Sequence, residues 1–414
     1  MKLSEELKAR GFIHQFSGES LENILDGDKR TFYLGADPTA TSLTIGNLAV
    51  YMLVRHLADA GHTPILLIGG GTGMIGDPGG KESERTLLDD VALQQNITGI
   101  RKQVENILNI KDVTIVNNAD WLSKLSLIDF LRDVGKYFTV NSMIKKDIVK
   151  DRLDAESPIS YTEFSYSLLQ GYDFRHLLDE YNCTLQVSGS DQWTNALAGV
   201  DYIRKTRDAD AFVLTIPIIV NPSTGKKFGK TEDGTLWLDA ERTSPYKLYQ
   251  YFLNVDDAAT DALLKIYTLL SLEDIESLAA QMQDTPQDRS AQKALAYEVT
   301  KFVHSDAAAA SAKAVSDVLF GGKDVEELSP VEVDTLKTEA PTATVVDATS
   351  LIDALVDTEL VTSKTEARKM VEGGAVSISG VKILDTDFNI TAGDFVNNIA
   401  ILRKGKKQLM VLSL

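Results

Sequence analysis

Cysteine is almost absent from the chain, with Cys183 alone among 414 residues. That excludes an intrachain disulfide and any multi-cysteine zinc site, and a lone thiol of this kind is ordinarily a buried core residue. Positive charge is also short. The 42 Lys and Arg face 60 Asp and Glu, for a formal net charge of −18. A uniformly basic surface is excluded, so a nucleic-acid partner must be met on local basic patches, because phosphate contacts need Lys or Arg. The five histidines, at positions 14, 56, 62, 176 and 304, show no metal or triad spacing and read as structural or surface residues. No apolar run is long enough to span a bilayer, and the polar start has no signal-peptide core. No membrane partner is expected, and the chain reads as a cytoplasmic protein of a reducing compartment. It shows no internal repeat and no low-complexity tract.

What is present is ordinary in bulk: 43% hydrophobic and 25% charged residues, enough for a large core and more than one domain. Through residue 220, short apolar runs alternate with amphipathic segments, the mark of a parallel α/β sheet. Strands are expected at Phe32–Leu34, Pro64–Ile68, Val113–Val116, Leu185–Val187 and Phe212–Ile216. Helices are expected at Leu48–Ala60 and Tyr161–Asp179. From Pro245 to Gly321 the strand signals stop and helical periodicity takes over, so 221–321 reads as a helical domain with a loop before it. Residues 322–346, acidic and Thr-rich with Pro330 and Pro341, suit a mobile linker. A compact pattern of helices and alternating strands returns over 347–414.

The segment Tyr33-Leu34-Gly35-Ala36-Asp37-Pro38-Thr39 to Thr44-Ile45-Gly46-Asn47-Leu48 reads as a strand, a turn and a helix start. Backbone N–H groups there, beside Thr and Asn donors, suit a polyphosphate. Far downstream, Lys227-Phe228-Gly229-Lys230-Thr231 puts two ammonium groups on a short loop between glycines. Gly71-Thr72-Gly73-Met74-Ile75-Gly76 matches the dinucleotide fingerprint. However, Asp77-Pro78-Gly79-Gly80 breaks the chain where that fingerprint needs a helix. A phosphate-binding P-loop fails too, since Lys81 is followed by Glu82. The better reading is a close-approach loop beside a ligand. Tyr166, Gln170 and Asp173 share one helix face, interleaved with apolar residues, so their polar groups require buried partners or a ligand. Ser188-Gly189-Ser190-Asp191-Gln192-Trp193 follows a strand and opens a helix. Asp191 is there either an N-terminal cap or a ribose-facing carboxylate.

The two polyphosphate segments, in this order, resemble the signature sequences of class I aminoacyl-tRNA synthetases. Their surroundings are similar to the bacterial-type tyrosyl-tRNA synthetases over essentially the whole chain. The resemblance implies a Rossmann-like catalytic domain with a parallel sheet, an all-helical domain, and a small α+β αL-type RNA-binding domain like those of ribosomal proteins. It implies ATP with Mg2+ and L-tyrosine as substrates, no structural metal, tRNA(Tyr) as partner, and a homodimer with Phe130–Ile144 as candidate interface. Tyrosine would be held by Tyr33, Thr72, Asp77, Asn118, Tyr166, Gln170, Asp173 and Gln192. Tyr33 and Asp173 would meet the phenol, and Tyr166 and Gln170 the ammonium. ATP and the adenylate would be met by Gly35, Asp37, Thr39, Thr44, Gly46, Asn47, Gly189, Asp191 and Lys230. Catalysis would rest on Thr39, Asn47, Lys81, Arg85, Lys227, Lys230 and Thr231, through positioning and charge stabilisation without an enzyme nucleophile.

For tRNA the candidates are Arg204, Lys205 and Arg207, together with Lys364, Arg368, Arg403, Lys404, Lys406 and Lys407 of the C-terminal domain. The first cluster reads equally as a solvated helix face. One departure stands out. The family's first signature usually reads His-Ile-Gly-His, and here it is Thr44-Ile45-Gly46-Asn47. Asn47 keeps an amide donor, whereas the Thr44 side chain is shorter than imidazole. That motivates a rival reading, a synthetase-derived RNA-binding or regulatory protein with weakened activation. A relative charging tryptophan is the other rival, against which Tyr33 and Asp173 argue.

Overall fold

The computed structural model describes residues 1–76, 89–110, 113–220, 225, 227–231, 234–321, 323–405 and 408–414, with backbone alone at positions 90, 147, 148, 230 and 231. Its contacts divide the chain into two compact units. The first comprises residues 1–242 and 256–291. The second comprises 243–255 and 292–414.

The first unit is built on a six-stranded sheet: β1 (Gln15–Phe16), β2 (Thr31–Ala36), β3 (Thr63–Ile68), β4 (Thr114–Asn117), β5 (Cys183–Gly189) and β6 (Phe212–Ile216). The order is β1-β6-β5-β2-β3-β4, all parallel except the β1–β6 pair. The chain leaves β2 toward β3 on one side and later places β5 on the other. The carboxyl ends of β2 and β5 therefore flank the switch point, where open α/β sheets bind ligands. The five strands expected from apolar runs are all present.

Four helices matter for the site: α1 (Ile45–Asp59), α2 (Asp90–Leu108), α3 (Tyr161–Tyr181) and α4 (Trp193–Arg207). Helix α1 is apolar on most of its surface. Ile45, Leu48, Ala49, Met52, Leu53, Val54 and Leu57 are all fully buried, which holds its N-terminus rigidly at the switch point. Helices Asp257–Tyr267 and Leu272–Asp284 also belong to this unit. The buried Arg10 guanidinium donates to the carbonyls of Lys265 (3.3 Å) and Leu270 (2.8 Å), and the Tyr267 hydroxyl to that of Ile45 (3.3 Å). The helical stretch 245–321, expected as one domain, is thus divided between the two units.

In the second unit, helices Pro245–Leu253, Asp306–Phe320 and Pro330–Glu339 pack together. A five-stranded sheet follows, with Thr342–Thr344 paired in parallel to Gln408–Ser413. Segment 322–346 is therefore not an extended linker. Ser329 and Glu332 form a reciprocal capping box with Pro330 in the first turn, and Val325, Leu328, Val333 and Leu336 are buried. The acidic and Thr-rich residues that suggested a linker are spread over the exposed side of that helix (Asp334, Thr338), the turn before it (Glu326, Glu327) and the strand after it (Thr342, Thr344). Leu336→Ala should accordingly destabilise the protein by about 2–5 kcal/mol, the cost of an emptied core site. Chemical denaturation measures this, and a loss below about 0.5 kcal/mol would restore the linker reading.

Candidate functional site

At the switch point a cleft opens in two connected parts. The inner part, about 320 Å³, is lined by Tyr33, Asp37, Thr72, Tyr166, Gln170 and Asp173 among others. The outer part, about 840 Å³, runs past Gly46, Gly189, Asp191, Lys227 and Gly229. Gly35, Thr39, Thr44, Asn47, Ser188, Gln192 and Trp237 line both parts. Residues far apart in the chain are thus gathered on one cavity.

The inner end is organised by a buried carboxylate. Asp173, on α3, is only 3% exposed. Its Oδ2 accepts from Asn118 Nδ2 (2.9 Å) and its Oδ1 from Trp121 Nε1 (2.7 Å). Burial pushes the Asp173 carboxyl up to about 7, against the opposing pull of those two donors, and the nearby Asp37 charge adds to the rise. Asn118 also donates to Thr72 Oγ1 (3.0 Å) and accepts from the Gly71 N–H (2.7 Å). Thr72 donates to Asp37 Oδ1 (2.7 Å), and the Tyr166 hydroxyl to Asp37 Oδ2 (2.9 Å). This chain of bonds accounts for the glycine run after β3. A Cβ at Gly69 would sit 2.1 Å from Asp37 Oδ1 and 2.4 Å from Thr72 Oγ1. The run makes room for protein side chains instead of cradling a dinucleotide.

Three buried polar atoms of cavity-lining residues have no hydrogen-bond partner among the described residues: Tyr33 Oη, Gln186 Oε1 and Ser188 Oγ. The Tyr33 hydroxyl is held far above its ordinary pKa by burial, and further by the Asp173 charge. Unpaired buried polar atoms cost free energy, and a polar ligand relieves that cost.

In the outer part, Thr44 caps α1. Its Oγ1 lies 3.4 Å from the Asn47 N–H that it accepts, while Asn47 Oδ1 accepts from the Thr44 N–H (3.0 Å) and hydroxyl (2.8 Å). The two polar residues of the first signature therefore bond to each other, a pairing the sequence reading did not foresee. The second signature is tied to the first through backbone. Ile45 N–H donates to Leu236 O (3.1 Å), Leu238 N–H to Leu43 O (2.9 Å) and Leu236 N–H to Gly229 O (3.1 Å).

The remaining sequence candidates fall as follows. Asp77, Lys81, Arg85, Lys406 and Lys407 lie outside the described residues, and for Lys230 and Thr231 only the backbone is described, in a short hairpin with Gly234–Thr235. Asp191 is exposed and makes no cap of α4, whose N-cap position is Gln192. Arg204, Lys205 and Arg207 project from the end of α4 and each has a partner: Asp201, the Tyr137 carbonyl and Asp179, respectively. In the second unit, Arg403 donates to Val318 O (2.9 Å) and Lys404 to Leu360 O (2.7 Å), so both are turned inward. Lys364 pairs with Asp353 (2.6 Å), and Arg368 is exposed. Gln186, Ser188, Trp121 and Trp237 were missed as site residues. A lone Gln inside the apolar run Leu185–Val187 was the signal available for the first.

The sequence and fold that carry this site are matched by known proteins. A family model described as tRNA synthetases class I (W and Y) covers residues 26–321, and one described as the tyrosine–tRNA ligase SYY-like C-terminal domain covers 332–412. The chain belongs to the class I tRNA synthetases of the W and Y family. Relatives named tyrosine–tRNA ligase, from Staphylococcus saprophyticus and Streptococcus mutans, are each 44% identical to it. The first similarity spans 99% of both chains, the second 100% of both. A solved C-terminally truncated mitochondrial tyrosyl-tRNA synthetase from Aspergillus nidulans superposes with a TM-score of 0.70 at 28% identity. That superposition covers 77% of this chain and 94% of the other. The class I synthetase fold expected from sequence is borne out, and members of this family are ligases. The rival reading of a regulatory derivative is not favoured by full-length similarity to ligases.

The buried carboxylate predicts a pH dependence of stability. With its folded pKa raised from 3.8 to about 7, Asp173 ionises first in the unfolded chain as pH rises. Its contribution is therefore fully present below the unfolded value of 3.8, is lost as pH rises from there through about 7, and is flat above. The loss amounts to about 4 kcal/mol at ~1.4 kcal/mol per pH unit. Asp173→Asn should remove this component. The test is the difference in unfolding free energy between wild type and variant from pH 4 to 8, and a difference independent of pH would overturn it.

Proposed function

We propose that this chain is a tyrosine–tRNA ligase, joining L-tyrosine to ATP as tyrosyl-adenylate with release of pyrophosphate, then passing the tyrosyl group to the terminal ribose of tRNA(Tyr). The observation that carries the tyrosine specificity is the inner end of the cleft, where the unpartnered Tyr33 hydroxyl lies in the field of the buried Asp173 carboxylate. A phenol donating to Asp173 and accepting from Tyr33 answers both groups. The indole of tryptophan offers a donor but no acceptor oxygen, and phenylalanine offers neither.

The chemistry follows from the ordering of the cleft. Tyr166, Gln170, Thr72 and Asp37 suit the substrate ammonium, leaving its carboxylate toward Gln192 and the outer part. There the tyrosine carboxylate oxygen attacks the α-phosphorus of ATP in line, the bond to the bridging oxygen breaks, and Mg-pyrophosphate leaves. Gly35, Asp191 and Gly189 suit the ribose. Thr39, the N-terminus of α1 with Asn47, and Lys227 suit the phosphates, and the family resemblance assigns Lys230, Lys81, Arg85 and Thr231 to the same charge. Their work is positioning and charge stabilisation. Magnesium arrives with the nucleotide. The adenylate carbonyl is then attacked by the tRNA ribose hydroxyl, and AMP leaves. Exposed cations such as Arg204, Lys205, Arg207, Lys364 and Arg368 supply the phosphate contacts, and the family resemblance adds Lys406 and Lys407; Arg403 and Lys404, turned inward, are the weaker candidates.

We also read the family's dimer onto one face. Leu127, Ile128, Leu131, Val140 and Ile144 are exposed, over a buried layer of Val134, Met143 and Tyr202. Exposed apolar residues gathered in one short segment make it the candidate interface.

ATP–pyrophosphate exchange tests the reading directly. Tyrosine should support it, tryptophan should not, and phenylalanine should be worse by about 10⁵-fold, the order established for synthetases of this specificity. Asp173→Ala should raise the tyrosine KM or abolish exchange. Unchanged tyrosine affinity and discrimination in that variant would mean the phenol is held elsewhere.

Sedimentation tests the face. The wild type should run as a dimer and Ile128→Lys should run as a monomer. A dimer in both places the interface on another surface.

A further inference from the structure

One polar cluster beside the cleft has no part in the chemistry above. The loop of residues 37–44, between β2 and α1, carries Thr39 and Thr44 on the cleft wall, and its backbone groups must be satisfied by something other than a transient ligand. Helix α2 does this from behind. Asn96 Nδ2 donates to Pro38 O at 2.9 Å, with Asn96 only 7% exposed. Gln103 Oε1 accepts from the Leu43 N–H at 2.7 Å, and its Nε2 donates to Ser42 Oγ at 3.1 Å. Between them Gly99 lets the helix touch the loop: a Cβ there would lie 2.3 Å from Thr41 O and 3.1 Å from Thr41 C. At i, i+3 and i+7 the three residues share one helix face.

The three residues grip Pro38, Thr41, Ser42 and Leu43, which leaves exposed Thr39 to face the cleft. None of the three lines either part of the cavity, whereas Pro38, Ser42 and Leu43 of the loop they hold do. We infer that Asn96, Gly99 and Gln103 form a positioning clamp that fixes the Thr39 loop and the start of α1 for the nucleotide's phosphates. This rests on the proposed ATP chemistry and adds residues that touch no substrate. Their effect passes through the loop, whose displacement by about 1 Å costs on the order of 100-fold in rate. In the inner pocket Asp173 is held by Asn118 and Trp121, and Asp37, at the loop's start, by Thr72 and Tyr166, so a loosened clamp should spare tyrosine.

The test uses Asn96→Ala, Gln103→Leu and Gly99→Ala in the full chain. Three quantities are measured: affinity for a non-hydrolysable ATP analogue, tyrosine affinity from tryptophan fluorescence, and the single-turnover rate of adenylate formation. We expect analogue affinity and the adenylate rate to fall by about 10- to 100-fold with tyrosine affinity unchanged. Gln103→Glu, which keeps the acceptor for the Leu43 N–H, should recover most of the loss. Gly99→Ala is the sharpest case, because alanine favours helix formation and yet crowds Thr41. Equal losses toward tyrosine and nucleotide accompanied by a lower Tm would show a merely structural role and overturn the inference, as would no loss at all. A wild type that binds the analogue but shows no tyrosine-dependent exchange refutes the proposed reaction while the clamp is still judged on analogue affinity. A wild type that binds no ATP analogue refutes both.

Discussion

The structure of the first unit turns on the cost of keeping the Asp173 carboxylate away from water. A buried charge is tolerated only when hydrogen-bonded on every side the solvent has left. Two donors reach Asp173 from the segment after β4, so Asn118 and Trp121 must be placed there by the strand. Asn118 has its own requirements, met by Thr72 and the Gly71 N–H, and Thr72 passes the connection on to Asp37 and Tyr166. Carboxyl-end segments of three parallel strands and one long helix are thereby locked into a single polar network. The two donors still fall short of compensating burial, since the carboxyl titrates near 7. The shortfall is the binding site's reserve, because a ligand that donates to Asp173 stabilises its charged form.

The outer part of the cleft follows a different rule. Its chemical groups come from segments nearly two hundred residues apart, and it is backbone pairing that joins them. The segment 236–238 donates from Leu238 to Leu43 and accepts at Leu236 from Ile45, while Leu236 also donates to Gly229. Packing completes the connection, with Phe228 against the Tyr267 ring, whose hydroxyl returns to Ile45 O. Inner and outer parts thus differ in kind. The inner one is defined by side-chain bonds that a single substitution removes, the outer one by main-chain geometry that tolerates changes in side chain.

That difference explains what the sequence disclosed. The strands at 32–34, 64–68, 113–116, 185–187 and 212–216 were legible because each is a short apolar run between polar segments. The cleft residues were legible because Tyr166, Gln170 and Asp173 fall on one face of a helix, and the two signatures are local patterns. What escaped was whatever depends on a distant partner. Trp121 as a donor to Asp173 joins positions 52 residues apart, and the inward turn of Arg403 toward Val318 joins positions 85 apart. The error at 322–346 was of another sort. Composition was weighed over position, although Ser329-Pro330 with Glu332 is a helix-start pattern and Val333 and Leu336 share one face. The divided helical stretch was not readable at all, since helices of similar periodicity belong to different units.

Thr44 and Asn47 show how such tolerance works in the first signature. A helix start needs its leading N–H groups satisfied, and a Thr or Asn there is worth about 1 kcal/mol over alanine. Here both residues serve that need through their mutual bonds. On the proposed reading, a phosphate approaching α1 meets an end already rigid, with the amide nitrogen of Asn47 as donor and its oxygen committed. Pre-organisation substitutes for reach, because electrostatic stabilisation in a transition state is strongest when the donors do not have to move. The burden of charge then shifts to Lys227 and Lys230. On that reading, a change in the first signature is compatible with activity only while Lys227 and Lys230 of the second are kept.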